Sequence, residues 1–150
     1  MSAAQFVALR ASDRAQALAF MRAYYAEDGH DFRPDVAAAA LDAILTGDVL
    51  AWFWHIEVDG APVGYLCVTG GFSLEVGAGD FFLDEIYMVP GARGRGVGQA
   101  AIAFAEAEAK ARGAARLCLE VQPANTRAAA LYRRCGYESH DRPLLSKLLR

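Results

Sequence analysis

The spacing of hydrophobic positions changes along the chain, and each change marks an element. Phe6–Leu9 is a short apolar run that predicts a first strand. Ser12-Asp13 supplies an N-cap, after which Leu18, Met21, Tyr24 and Tyr25 recur at helical spacing until Gly29. Pro34 suits the first turn of a second helix, Val36, Leu41, Ile44 and Leu45 form its stripe, and Gly47 stops it. From Leu50 the texture turns aromatic and β-branched. Leu50–Val58 and Pro62–Phe72 read as two strands joined at Asp59-Gly60, a strong hairpin turn. Gly77-Ala78-Gly79 leads into a third long strand, Phe81–Val89, closed by Pro90. Helical spacing returns over Val97–Arg112, where Val97, Ala101, Phe104 and Ala111 mark the buried stripe. Glu106–Lys110 and Glu108–Arg112 are charge pairs on the wet side, and Gly113 caps the end. Leu117–Val121 reads as a short buried strand and Asn125–Cys135 as a helix stopped by Gly136. Tyr137–His140 and Leu144–Leu149 read as the last two strands. The sum is a single α/β domain over residues 1–150. It has a mixed sheet of about seven strands, antiparallel early and closed by a βαβ crossover, with about four helices. No internal repeat or linker interrupts it.

Composition narrows the class. With 55% hydrophobic residues in 150, the chain builds a core without metals or disulfides. A net charge of −3 argues against a nucleic-acid binder, which would normally carry a basic face. No basic-then-apolar leader opens the chain, and no apolar run is long enough to span a bilayer. Cys67, Cys118 and Cys135 are an odd set without CxxC spacing, which fits a reducing cytoplasm. His30, His55 and His140 are scattered, so no metal site is expected.

The most informative stretch is Phe81–Gln99, a strand followed by Arg93-Gly94-Arg95-Gly96-Val97-Gly98 and then a helix. A glycine-rich turn at a helix start leaves backbone N–H groups unpaired at the positive end of the dipole. It also lets a bulky anion approach them without Cβ interference. Two arginines at the rim add charge, so the stretch reads as a phosphate or pyrophosphate cradle. Gly96-Val97-Gly98-Gln99-Ala100-Ala101 also satisfies G-x-G-x-x-A, with Glu120 ending the next strand, as a nicotinamide dinucleotide site requires. Three features weigh against that cofactor. Asp84 and Glu85 interrupt the preceding strand, the unit comes late in the chain, and the arginines precede the glycines.

Arg93-x-x-Gly96-x-Gly98 resembles the (Q/R)-x-x-G-x-(G/A) coenzyme A loop of the GNAT superfamily of acetyltransferases. The run from Asn125 through Ala128, Leu131, Tyr132 and Gly136 to Tyr137 resembles that family's N-x-x-A-x-x-L-Y-x-x-x-G-(F/Y) signature. The similarity is sharpest from Asp80 to Tyr137. It implies a mostly antiparallel sheet with a splayed cofactor cleft and acetyl-CoA as co-substrate. Residues 80–137 would be the coenzyme core and the first half the acceptor side. By this resemblance pantetheine lies between the strands ending at Val89 and Val121, pairing with Met88 and Val89, and the Val89 amide donates to the thioester carbonyl. Arg93, Gly94, Arg95, Gly96, Val97 and Gly98 hold the pyrophosphate, with Gln99 a further contact. Asn125 is an N-cap and a coenzyme contact. Tyr132 is either a core side chain or the general acid for the departing thiolate. The base is a carboxylate: Asp84 or Glu85, which alternation sends to opposite faces unless a bulge intervenes, or Glu75.

Tyr24, Tyr25, Glu27, Asp28, Asp31, Trp52, Trp54, Glu75 and Asp80 suggest an acidic and aromatic rim. That rim points to a small cationic amine as acceptor, with a protein N-terminus or lysine as the alternative. A coenzyme-binding domain without catalysis is the reading from another class. No membrane or nucleic-acid partner is expected, and a homodimer is compatible with the sequence.

Overall fold

The computed structural model describes residues 3–150 and divides the chain into two compact units, one ending at Glu120 and one spanning Val121–Arg150. The first unit holds a six-stranded sheet. Its strands are β1 (Gln5–Ala8), β2 (Ala51–Val58), β3 (Ala61–Thr69), β4 (Phe72–Ser73), β5 (Ala78–Met88) and β6 (Ala114–Cys118). Helices α1 (Arg14–Asp28), α2 (Pro34–Thr46) and α3 (Val97–Ala111) complete that unit, and α4 (Thr126–Arg134) lies in the second. β1 to β5 pair antiparallel, whereas β5 and β6 run parallel across the α3 crossover.

The hairpin forms where Asp59-Gly60 predicts it. Both residues have positive φ, 52° and 76°, as a two-residue turn matching strand twist needs, and Val58 pairs directly with Ala61. Cross-strand alternation then sorts the side chains. Phe53, Tyr65, Cys67 and Tyr87 pack with Ala17, Phe20 and Met21 of α1 and Ala37 and Leu41 of α2. On the opposite face lie Trp54 and Leu66, directly paired across β2 and β3, with Ile56 and Val68. Trp54 meets Phe104 of α3 edge-on, and α3 buries Val97, Ala101, Ile102, Ala105 and Ala109.

Several boundaries differ from the sequence reading. The Asp13 carboxylate turns back to the Arg10 amide and guanidinium instead of capping α1, which starts after a 3-10 turn over Ala11–Asp13. The expected strand Pro62–Phe72 breaks at Gly70-Gly71 into β3 and β4. A Cβ on Gly71 would sit 2.9 Å from the Asp80 carbonyl, so the chain passes too close for a side chain there. The strand placed at Leu117–Val121 forms three residues earlier, because Gly113, with φ 95°, turns the chain straight into it.

The two final strands do not form. Leu144, Leu145, Leu148 and Leu149 are instead exposed, and no strand pairs with this stretch among the described residues. Their hydrophobicity resembled a buried strand, but with apolar pairs at 144–145 and 148–149 the segment lacks the alternation that would bury one face.

Candidate active site

β5 outlasts β6. Their parallel pairing runs from Gly79 to Phe82 on β5 and ends opposite Cys118, while β5 continues to Met88. The last paired rungs are fastened by Asp80, which accepts two hydrogen bonds from Arg116 at 2.9 and 2.8 Å and one from the Cys118 thiol at 3.4 Å. Beyond them no strand pairs with that edge of β5 among the described residues. The Val89 amide donates to the Val63 carbonyl at 2.8 Å, which fixes the parity of the ladder. With Gly64 opposite Met88, the N–H and C=O groups of Ile86 and Met88 therefore turn away from β3, toward the edge that β6 leaves unpaired. The thioester donor expected at Val89 is thus already engaged inside the sheet, and the Met88 amide is the one that faces outward.

The turn after β5 folds as Pro90–Ala92, a single 3-10 turn closed by the Ala92 amide on the Val89 carbonyl at 2.9 Å. Gly94 and Gly96 adopt left-handed backbone, φ 75° and 80°, which brings the chain into α3 at Val97. No side chain caps this end. The amides of Val97, Gly98 and Gln99 precede the first intrahelical bond, from Ala100 N to Gly96 O, and have no acceptor within the helix. A Cβ built on Gly96 meets nothing within 4 Å, so the space beside the turn is open. Arg95 is exposed at its rim. The Arg93 guanidinium instead ties the turn to its surroundings: Nε donates to the Met88 carbonyl at 2.9 Å and Nη2 to Glu27 at 2.7 Å. The Glu27 hydrogen bond raises the Arg93 pKa. Beside the turn lies a groove of about 200 Å³ lined in part by Val63, Val89, Ala92 and Arg95.

Asp84 and Glu85 sit on a β-bulge. Leu83 pairs with Val68 and Glu85 with Cys67, so two residues apart on β5 answer to adjacent residues on β3. Leu83 and Glu85 therefore point to opposite faces, and the alternation that would separate Asp84 from Glu85 is broken. Glu85 is held by two phenols. Tyr25 of α1 donates to Oε2 at 2.6 Å and Tyr65 of β3 to Oε1 at 2.8 Å. Burial raises the Glu85 pKa, and these hydrogen bonds act against the rise. Asp84 reaches solvent, yet desolvation by the surrounding protein and then the Glu120 charge raise its pKa too. Burial, and then the charges of Asp84 and Glu85, raise the pKa of Cys67 on the α1–α2 side.

Other members of the expected rim lie elsewhere. Trp52 stacks on Phe81 and Trp54 meets Phe104, and the Arg112 guanidinium lies 4.8 Å and 5.4 Å from the two indoles. Both tryptophans therefore belong to the α3 face and form no part of an acceptor rim beside Glu85. Asp80 is taken by Arg116, and Glu75 pairs with the same guanidinium at 3.5 Å. Asp28 pairs with His30 at 2.9 Å.

In the second unit, the Asn125 side chain accepts the Ala128 amide at 3.2 Å, which is the expected N-cap of α4. Gly136, φ 93°, follows the helix end. Tyr132 lies on the last turn with its ring 6.3 Å from Tyr137, and burial followed by Cys135 raises its pKa. Among the described residues no group of three or more His, Cys, Asp or Glu is arranged to hold a metal, and no helix is long and apolar enough to cross a membrane.

An unpaired strand edge followed by an uncapped, glycine-rich helix start is an arrangement suited to acyl-group chemistry on an anionic carrier. The Acetyltransferase (GNAT) family matches residues 15–137, and the chain belongs to that family of acyltransferases. Among solved structures, an integron cassette protein from the mobile metagenome of Cole Harbour Salt Marsh is 30% identical. The alignment covers 97% of this chain and 91% of that one, at a TM-score of 0.85. An aminoglycoside N-acetyltransferase, AAC(6')-Iy, in complex with CoA is 17% identical over 100% and 97% of the two chains, at 0.82. A ribosomal-protein-alanine N-acetyltransferase from Brucella melitensis biovar Abortus 2308 is 21% identical over 97% and 100%, at 0.78. The last two likenesses are of fold. No curated protein matches the chain in sequence.

Proposed function

We propose that the chain transfers the acetyl group of acetyl-CoA to the primary amine of a small cationic molecule. The observation that carries the reading is the edge of β5 at Ile86 and Met88 that β6 leaves unpaired, followed in the chain by the uncapped amides of Val97, Gly98 and Gln99. Those amides and the exposed Arg95 suit a diphosphate, and the Ile86 backbone suits the amide-rich pantetheine arm, with the Met88 amide left for the thioester carbonyl. On this reading residues 80–137 are the coenzyme-binding stretch, the first half supplies the acceptor, and the loop role of Arg93 is to hold the turn in shape through Met88 and Glu27. Asn125 contributes a polar contact in addition to its capping bond.

Glu85, directly or through one water, takes a proton from the ammonium of the acceptor. The freed lone pair attacks the thioester carbon, the carbon–sulfur bond breaks, and the acetylated nitrogen sheds its second proton to water, which in turn restores the proton that Tyr132 gives up. The Met88 amide stabilises the oxyanion between those events. Tyr132 gives a proton to the departing thiolate, and its raised pKa keeps the phenol protonated for that role. Asp84, beside Glu85 on the bulge, adds the second negative charge that draws in a cation.

Free-thiol release from acetyl-CoA, followed with spermidine, kanamycin and an alanine-starting peptide, tests the assignment. Turnover of spermidine or kanamycin supports it. Turnover of the peptide alone moves the acceptor to a protein N-terminus, and coenzyme binding without release from any of the three contradicts catalysis.

A further inference from the structure

We propose that Tyr25 is a positioning residue of the acceptor site, holding the Glu85 carboxylate in one orientation from helix α1. The inference rests on the acetyl-transfer reading and concerns a residue to which that reading gives no chemical role. Its basis is geometric. A carboxylate anchored through one oxygen still swings about its last carbon–carbon bond; anchored through both, it does not. Here Oε2 accepts from Tyr25 at 2.6 Å and Oε1 from Tyr65 at 2.8 Å, and the two donors come from different elements. Tyr65 is wholly buried, its ring stacked on Phe53 at 4.9 Å, so its hydroxyl is a fixed point. Tyr25 lies on the last turn of α1, half-buried, edge-on to Phe32 at 5.8 Å and to His30 at 6.4 Å. Its hydroxyl is the half of the clamp that depends on how α1 sits on the sheet.

The clamp also sets charge. The groups facing Glu85 are Tyr25 and His30 from the α1 side, Tyr65 and Cys67 from β3, and Asp84 from β5. Both phenols and His30 favour the ionised carboxylate, while burial and Asp84 oppose it. Changing Tyr25 to Phe removes one hydroxyl and leaves the ring packing and every other group in place. The carboxylate then loses a donor that favours its charged form, so it titrates at higher pH.

The test is a carboxyl-carbon NMR titration of Glu85, assigned through Glu85→Gln, in the wild type and in Tyr25→Phe. The proposal expects the Glu85 midpoint to move up in Tyr25→Phe. The acid limb of kcat/KM for the responding amine should move with it, and kcat/KM should fall roughly tenfold. KM for acetyl-CoA stays put, and the melting temperature at neutral pH falls only as far as the Glu85 shift requires by linkage. An unmoved Glu85 midpoint overturns it, because a residue that only packs would leave that titration alone. In the wild type, the Tyr25 Cζ resonance should follow the Glu85 titration, and an independent Tyr25 signal overturns the clamp even where the variant fails to fold. If spermidine, kanamycin and the alanine peptide all give no thiol release, the transfer reading falls, while the carboxyl titration still decides the clamp.

Discussion

Two carboxylates on one bulge divide into a held one and a loose one. Glu85 accepts two phenolic hydrogen bonds, whereas no hydrogen bond or ion pair reaches Asp84 among the described residues. Glu85→Gln should therefore cut kcat on the order of 100-fold or more, as loss of a positioned base does. Asp84→Asn should act mainly on KM for the cationic acceptor, and steady-state kinetics on the two variants separate the roles. Because burial raises the Glu85 pKa, kcat/KM should rise with pH along a limb above the ordinary carboxylate range of about 4.

His55 is a second residue with a definite pH signature. It is buried to 3% exposure between Phe20 and Phe53, and its Nε2 has no hydrogen-bond partner. Burial lowers its pKa in the folded state, with Asp13 and Glu57 pulling the other way. The unfolded chain takes up a proton near pH ~6.5 while the folded one does not. The stability linked to His55 is thus fully present above that pH and drains away as pH falls through it toward the depressed folded value. Urea denaturation at pH 7 and pH 5 should show the loss. His55→Leu should flatten it, and an unchanged slope in the variant would assign the pH dependence to other groups.

At the scale of elements, the close approach of β3 and β5 is what holds the unpaired edge of β5 in place. A Cβ on Gly64 would stand 2.0 Å from the Tyr87 carbonyl, a backbone atom unable to step aside. Gly64→Ala should destabilise by about 1–3 kcal/mol and weaken coenzyme binding, read by thermal melting and calorimetry, whereas Gly60→Ala at the hairpin tip should leave binding intact. The glycine-rich turn, the hairpin and both helix caps at Gly47 and Gly136 were legible in sequence because each rests on a local backbone demand. The bulge was not. It depends on which residue of β3 faces Leu83 and which faces Glu85, a register the linear chain does not carry. The same blindness placed Trp52 and Trp54 in the acceptor rim: an aromatic strand reveals its period but not which face meets α3.

At the scale of the molecule, the order of elements was readable because the loop and the Asn125–Tyr137 signature flank one crossover. The last strands failed because hydrophobicity alone predicted them, and exposed Leu145 and Leu149 show that it was not enough. A ligand that binds only the native state should stabilise it by about 2.7 kcal/mol at a hundredfold excess over Kd, so coenzyme A should raise the melting temperature and adenosine alone should not match it. The most direct measurement is an amide NMR titration of the protein with coenzyme A. The backbone signals of Met88, Val97, Gly98 and Gln99 should shift together and saturate on one binding curve, with Val89 protected from exchange throughout by its bond to Val63. Saturable binding that leaves Val97, Gly98 and Gln99 unmoved would contradict a diphosphate seat at the start of α3.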